Sequence, residues 1–166
     1  MPSASIRLQT PDDHAALISL NESAFGPGRF ARTAYRVREG ATGDPRLNLC
    51  AVRGGTIIGS VNFTPVTIGE VPGALLLGPI IIADGHKNLG YGLRLMLEGL
   101  ERARNFDYKL VILVGDLPYY ARAGFCATPH GQIVLPGPVD PARLLRAALM
   151  PGALDAFRGL VRGVRS

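Results

Sequence analysis

Residues Leu77 to Leu95, LGPIIIADGHKNLGYGLRL, constrain the fold more than any other part of the 166-residue chain. A short apolar run rich in Ile and Leu, Leu75 to Ala83, is bounded by turn-forming residues, which predicts a buried strand rather than a helix. The turn Asp84-Gly85-His86-Lys87-Asn88 follows, and then Leu89-Gly90-Tyr91-Gly92. Between Leu93 and Arg104 the apolar residues Leu93, Met96, Leu97, Leu100 and Ala103 recur at spacings of three and four, which predicts an amphipathic helix. Strand, glycine-bearing turn and helix in that order bring backbone N–H groups and the positive end of a helix dipole to one point, where an anion can be held. Gly90 and Gly92 lack side chains, so a phosphate group can come close to the main chain. A P-loop is excluded, because no Gly-Lys is followed by Ser or Thr. A dinucleotide fingerprint lacks its third glycine, Leu95 standing in that place.

The acyl-CoA loop of the GNAT superfamily of N-acetyltransferases has the pattern Arg/Gln-x-x-Gly-x-Gly/Ala. Lys87-Asn88-Leu89-Gly90-Tyr91-Gly92 resembles it, with Lys87 where Arg or Gln is usual. A second landmark is Val111 to Phe125, VILVGDLPYYARAGF, an apolar run that ends at Gly115-Asp116 and leads through a short polar helix to Gly124-Phe125. The superfamily's corresponding segment ends in Tyr-x-x-x-Gly-Phe, which Tyr120-Ala121-Arg122-Ala123-Gly124-Phe125 matches. The two landmarks stand in the right order, one helix and one strand apart. The resemblance spans roughly residues 5 to 128, and Gly-Asp-x-x-Tyr-Tyr-x-x-x-Gly-Phe looks like a branch of predicted bacterial acetyltransferases.

The resemblance implies an α/β fold: a central mixed, mostly antiparallel sheet flanked by helices, with the acyl-CoA loop between the central strand and the next helix. It also implies an enzyme that moves the acetyl group of acetyl-CoA onto an amine of a small molecule or protein. The N–H groups of Leu89, Gly90, Tyr91, Gly92 and Leu93, with Lys87 and Asn88 beside them, are expected to hold the pyrophosphate. Lys87 offers a point charge without the bidentate fork of Arg. The backbone of Ile80, Ile81 and Ile82 is expected to track the pantetheine arm and supply donors at the thioester carbonyl. Tyr120 matches the general acid for the leaving thiolate, and a phenol is a competent donor at neutral pH. Glu22, near the end of the first helix, is the first choice of base, with a water relay as the other route. Tyr119 is expected to pack or face the cofactor. Asp116 is read as a helix cap, and Asp84 and His86 as solvated flanks of the turn. A non-catalytic acyl-CoA sensor or scaffold is the alternative; it needs the loop but not Tyr120.

The length fits one domain, read as an acetyltransferase unit over 1–135 and a helical extension over 136–166. The net charge of +5 is carried almost wholly by arginine, since only Lys87 and Lys109 are lysines. These arginines are scattered rather than clustered with aromatics, which argues against nucleic acid. Few acidic residues in the first third argue against a polycationic acceptor. Cys50 and Cys126 form no metal-spaced pair, so no metal is expected and both read as reduced thiols of a cytoplasmic protein. The N-terminus shows no basic and apolar leader, and the apolar stretch Ala74 to Ala83 is too short to span a bilayer, so no membrane contact is expected.

Along the chain, Ile6 to Gln9 reads as a strand. A helix starts at Thr10-Pro11-Asp12-Asp13 in a capping-box-like pattern, carries Leu17 and Leu20 inward and stops before Gly26. A second helix, Phe30 to Arg38, follows. Leu47 to Arg53 and Thr56 to Ile68 form a hairpin across Gly54-Gly55, with Gly59 marking a bulge and Pro65 an edge or bend. Lys109 to Val114 and Ile133 to Leu135 are further strands. A helix is predicted from Asp140 to Leu149, and a short one from Ala153 to Phe157. Leu144, Leu145, Leu149, Leu154 and Phe157 need cover, from the domain itself or from a second copy in a homodimer.

Overall fold

The computed structural model describes residues 4–25 and 33–165. A short strand, β1 (Ser5–Leu8), leads into α1 (His14–Phe25) and α2 (Thr33–Arg38). The predicted second helix is found from Thr33 on; its residues 30–32 lie outside the described ones. Strands β2 (Leu49–Arg53), β3 (Thr56–Ile68) and β4 (Val71–Ile82) then run as an antiparallel meander. Helix α3 (Tyr91–Asn105) crosses over to β5 (Leu110–Val114), which lies parallel to β4. A short helix α4 (Leu117–Tyr120) precedes β6 (Cys126–Ala127), β7 (Ile133–Val134), β8 (Leu144–Ala148) and β9 (Gly159–Gly163). The sheet order is β1-β2-β3-β4-β5-β8-β6, with β9 on the far half of β3 and β7 beside β9. This is the mixed, mostly antiparallel sheet with flanking helices that the resemblance implies.

Apolar patterning explains the layers. Alternate residues of β4 and β5 face opposite ways, so Leu75, Leu77, Val111 and Leu113 join the α3 side. Ala74, Leu76, Leu110 and Ile112 pack on the other side with Phe157 and Val161. Burial on both faces is why these two strands read as continuous apolar runs. Near the chain start, Thr10 N–H donates to Asp13 Oδ2 at 2.7 Å, closing part of the capping pattern. In β3, Ala51 pairs with Gly59 while Val52 pairs with Ile57, so the expected bulge sits beside Gly59. Pro65 falls where β3 changes neighbours, β2 ending opposite Val61 and β9 beginning at Val66. A residue without an N–H is tolerated at such a junction.

The helix predicted from Asp140 to Leu149 is not there. Asp140 does cap, accepting from Ala142 N–H at 2.9 Å, but only one 3₁₀ turn follows. Residues Leu144–Ala148 then form β8, antiparallel to β5 from Leu110↔Ala148 to Val114↔Leu144. The unsatisfied edge of β5 takes five residues whose own propensity is helical, a tertiary override of local preference. The extension over 136–166 is therefore strands and 3₁₀ turns, not helices. Leu144, Leu145, Leu149 and Phe157 are all buried within this one chain, so they need no second subunit. Leu17 and Leu20 of α1 are only half-buried. Among the described residues no helix is long and apolar enough to cross a membrane, and no cluster of metal ligands occurs.

α3 lies close to the sheet because Gly99 sits over the Phe63 ring, which is 1% exposed; a Cβ at position 99 would overlap that ring. Gly99→Ala is expected to destabilise the fold by about 1–3 kcal/mol, the usual cost of overpacking a filled core. A urea titration checks this as a lower midpoint at unchanged slope.

Candidate active site

β4 and β5 pair only where Ala74, Leu75 and Leu76 meet Leu110, Val111 and Ile112. Past that point β5 stays with β8 as far as Val114, while β4 stays with β3 as far as Ile82. The edge of β4 from Leu77 onward has no strand partner among the described residues, and a wedge opens between the C-terminal ends of two parallel strands. Pro79, joined to Gly78 by a cis peptide, has no N–H to offer that edge. Two cavities open on the wedge, of about 550 Å³ and about 310 Å³, and Ile80, Tyr119 and Tyr120 line both.

The smaller cavity sits at the start of α3. Lys87, Asn88, Gly90, Tyr91, Gly92 and Leu93 line it from the loop and helix, and Ile80 and Ile82 from β4. The Ile81 side chain is buried in the sheet, 3% exposed, as the alternation of a strand requires. Leu89 is 59% exposed and does not line the cavity. Arg94 N–H donates to Gly90 O at 3.1 Å, so the N–H groups of Tyr91, Gly92 and Leu93 lie ahead of the helix's own ladder. The two glycines do different work. Gly90 has φ +88° and open space where a side chain would be, so its backbone conformation is what favours glycine. Gly92 houses the Tyr119 hydroxyl, which occupies the place a Cβ would take. The space at Gly92 is thus filled by this chain itself, contrary to the reading that both glycines clear room for a phosphate.

Positive charge at this cavity comes from Lys87, which pairs with Asp84 at 3.1 Å, and from Arg122, whose guanidinium lies 5.8 Å from the Tyr119 ring centroid. Arg122 had no separate signal in the sequence; it lies inside the Tyr-x-x-x-Gly-Phe segment as a variable position. His86 is not the solvated residue expected. Both its ring nitrogens are shielded from solvent, with no hydrogen-bond partner among the described residues, and it lines the same cavity. Ammonium, guanidinium and helix N–H groups together make a donor set for a polyanion.

The larger cavity lies between α1, α2 and the wedge. Tyr120 stands at its boundary, its ring packed edge-on against Tyr119 at 4.9 Å and Phe125 at 6.1 Å and seated on the bare backbone of Gly115. Burial pushes the Tyr120 phenol up to about 12, Tyr119 and Asp116 add to the rise, and Arg143 opposes it. The phenol is therefore protonated at neutral pH. Burial also raises the Tyr119 phenol. Asp116 holds the N-cap position of α4, but its carboxylate makes no capping bond and instead faces Arg143 Nε at 3.4 Å. The expected capping role is thus not what the carboxylate does. Glu22 is exposed on α1 and lines neither cavity; the α1 residues that do are Ile18 and Asn21. Asp116 is the one acidic residue among the described lining residues, joined by Arg38 and Arg143. Sequence reasoning missed Arg143, which lies outside both motifs; Arg38 ends the second helix, a region that in the superfamily tends to line the acceptor side.

Residues 14–125 match the family model described as Acetyltransferase (GNAT) family. The chain is 28% identical over 158 residues to the N-acetyltransferase YhbS of Escherichia coli strain K12, covering 94% of this chain and 93% of that one. It is 30% identical over 124 residues to YjhQ of the same strain, also named an N-acetyltransferase, covering 72% and 68%. Among solved structures, that of Escherichia coli YhbS in complex with CoA superposes with a TM-score of 0.84 at 26% identity, covering 98% of this chain and 91% of that one. A GNAT family acetyltransferase from Brucella melitensis in complex with acetyl-CoA gives a TM-score of 0.63 at 30% identity, covering 93% and 100%.

The seat of Tyr120 on Gly115 yields a test that needs no ligand. In a rapid alkaline pH jump read by tyrosinate absorbance, Tyr120→Phe should remove a phenol that ionises near 12. Gly115→Ala, whose Cβ displaces the ring from its buried seat, should bring one phenol back toward the ordinary value of about 10.

Proposed function

The chain belongs to the GNAT family of acetyltransferases and is an acetyl-CoA-dependent N-acetyltransferase, and we propose that its reaction runs across the wedge between β4 and β5, with Tyr120 as the general acid. The observation that carries this reading is the position of Tyr120, a neutral phenol on the wall shared by the two cavities. The smaller cavity takes the nucleotide end of the cofactor. Lys87, Asn88 and Arg122 sit where its phosphates pass, and the N–H groups of Tyr91, Gly92 and Leu93 give directed donors to the pyrophosphate. The unpaired edge of β4 at Ile80 to Ile82 offers main-chain groups to an extended arm, as a missing strand would. The larger cavity takes the amine.

Bound acetyl-CoA supplies the acyl carbon and a thiol leaving group. The main chain of Ile80 to Ile82 lines the place where negative charge develops on the carbonyl oxygen. A C–N bond forms to the amine and the C–S bond breaks. Tyr120 gives its Oη proton to the departing sulfur, while the nitrogen loses one proton. The phenol is then restored from solvent, so one proton leaves nitrogen and one arrives at sulfur. Glu22 lies outside both cavities, so the acceptor's proton leaves through the larger one, by way of water. The unpaired thiols of Cys50 and Cys126 suit a reducing, cytoplasmic setting.

Calorimetry should show acetyl-CoA binding to the wild type and none to Gly90→Glu, which adds bulk and negative charge to the loop at a strained φ. Tyr120→Phe should keep that affinity within a few-fold and lower kcat by about 10²–10⁴-fold, the usual contribution of a positioned acid. Because the folded phenol ionises near 12, acid function is present below that value and lost as pH rises through it. The alkaline fall of kcat should therefore lie above about pH 10, past the range where free phenols ionise. A fall centred near pH 8 would exclude Tyr120 as the acid.

A further inference from the structure

Two asparagines line the larger cavity, Asn62 of β3 and Asn21 of α1. In each, bonds within the chain decide which end of the side-chain amide is left for a ligand. Gln9 Nε2 donates to Leu49 O at 3.0 Å and lies 3.4 Å from Val61 O. Main-chain carbonyls only accept, so the Gln9 atom between them is the nitrogen. That same nitrogen lies 2.7 Å from a terminal atom of Asn62, which must then be the acceptor Oδ1. Asn62 is left with Nδ2, which makes no hydrogen bond among the described residues. Asn21 is set the opposite way. Its Nδ2 donates to Leu17 O at 2.9 Å, one turn back along α1, and its Oδ1 makes no hydrogen bond among the described residues. Both side chains are half-buried, and neither leftover atom is shielded from solvent.

We propose that the amine acetylated here carries an amide group, whose C=O accepts from Asn62 Nδ2 and whose N–H donates to Asn21 Oδ1. This rests on the reading of the larger cavity as the acceptor side of the acetyl transfer. One uncharged donor and one uncharged acceptor are the complement of an amide, which has one of each. An ester has nothing to donate to Asn21, and a plain alkylamine body serves neither asparagine.

The placement suits a substrate rather than the cofactor. Val61 pairs with Ile80 and Phe63 with Leu77, so Asn62 stands opposite Gly78 and Pro79, at the level where the wedge opens. Asn21 and Ile18 lie three apart on α1 and share the face that lines the cavity. The pantetheine arm of acetyl-CoA has amides too, but neither asparagine lines the smaller cavity. Ile18, Leu77 and Val114 give an apolar wall beside the polar pair, and a volume of about 550 Å³ suits a small molecule or the end of a peptide.

The test uses matched acceptors with acetyl-CoA, read by thiol release and by mass spectrometry of the product. Each amino-acid amide is set against its methyl ester and against the amine that lacks the carbonyl group. A dipeptide beginning with the same residue tells a peptide N-terminus from a free small molecule. The amide should exceed the ester in kcat/KM by about three- to tenfold and the plain amine by about tenfold or more, mostly through KM, as one and two neutral hydrogen bonds predict. Asn21→Leu should erase the preference for amide over ester and keep that for ester over plain amine. Asn62→Leu should erase the second preference. Asn62→Asp keeps an oxygen for Gln9 and turns the free branch from donor to acceptor, so it should disfavour amide and ester alike against the plain amine. The acetyl-CoA Kd should stay within a few-fold throughout. Ester and plain amine used as well as the amide, or preferences that survive these substitutions, would overturn the proposal. So would a tenfold loss of acetyl-CoA affinity in the asparagine variants, which would put the pair on the cofactor, or no turnover of any acceptor by protein that binds acetyl-CoA. Failure of folded wild type to bind acetyl-CoA would overturn the proposed function, and this inference with it.

Discussion

The site depends on a sheet that stops pairing in its middle. β4 and β5 share three residue pairs and then part, each held by its other neighbour. Parallel strands that separate leave their C-terminal ends facing a gap, which is where ligands bind in open α/β sheets. Nothing fills this gap from the sheet itself. Gly78 and Pro79 give β4 neither a side chain on one residue nor an N–H on the next, and Gly115, just past the end of β5, is bare as well. What fills it is Tyr120, whose ring takes the space at Gly115. Elements on both sides then find their places. α3 begins just beyond β4, pointing its N-terminal N–H groups at the gap, and α4 begins just beyond β5, carrying the tyrosines.

Tyr119 and Tyr120 divide one task between adjacent residues. Neighbours on a helical turn point about 100° apart, so a single short helix sends one ring to the first turn of α3 and the other to Gly115, just past β5. Tyr119 reaches Gly92 with its hydroxyl, and Tyr120 covers Gly115 with its ring. The two rings meet edge to face, a favoured geometry for aromatic pairs. The cofactor loop and the end of β5 are thereby in register through side chains rather than strand pairing. An error in either glycine would move a tyrosine and disturb both cavities, since Tyr119 and Tyr120 line both.

Much of this frame was legible in the sequence, because it rests on local patterns. Leu75 to Ala83 is apolar throughout because both faces of β4 are buried, and Leu93 to Ala103 has helical spacing because one face of α3 meets the sheet. What was not legible depends on partners far away in the chain. The segment Leu144 to Leu149 has the composition of a helix and becomes a strand only because the edge of β5 is open to it. Asp116 reads as a cap because Pro118 follows so closely; that its carboxylate turns to Arg143 instead depends on where β8 begins. Glu22 was a choice by elimination, and α1 offers the larger cavity Ile18 and Asn21. Gly92 matches the motif, but the motif does not say that Tyr119 fills its space.

Electrostatics ties the two cavities together in a way composition alone does not reveal. A net charge of +5 spread over scattered arginines does not say where in the fold that charge gathers. In the folded chain, Lys87 and Arg122 fall on one side of Tyr120 and Arg38 and Arg143 on the other, so the phenol stands between two positive lobes with Asp116 near at hand. Burial and Asp116 hold its proton on, and Arg143 pulls the other way.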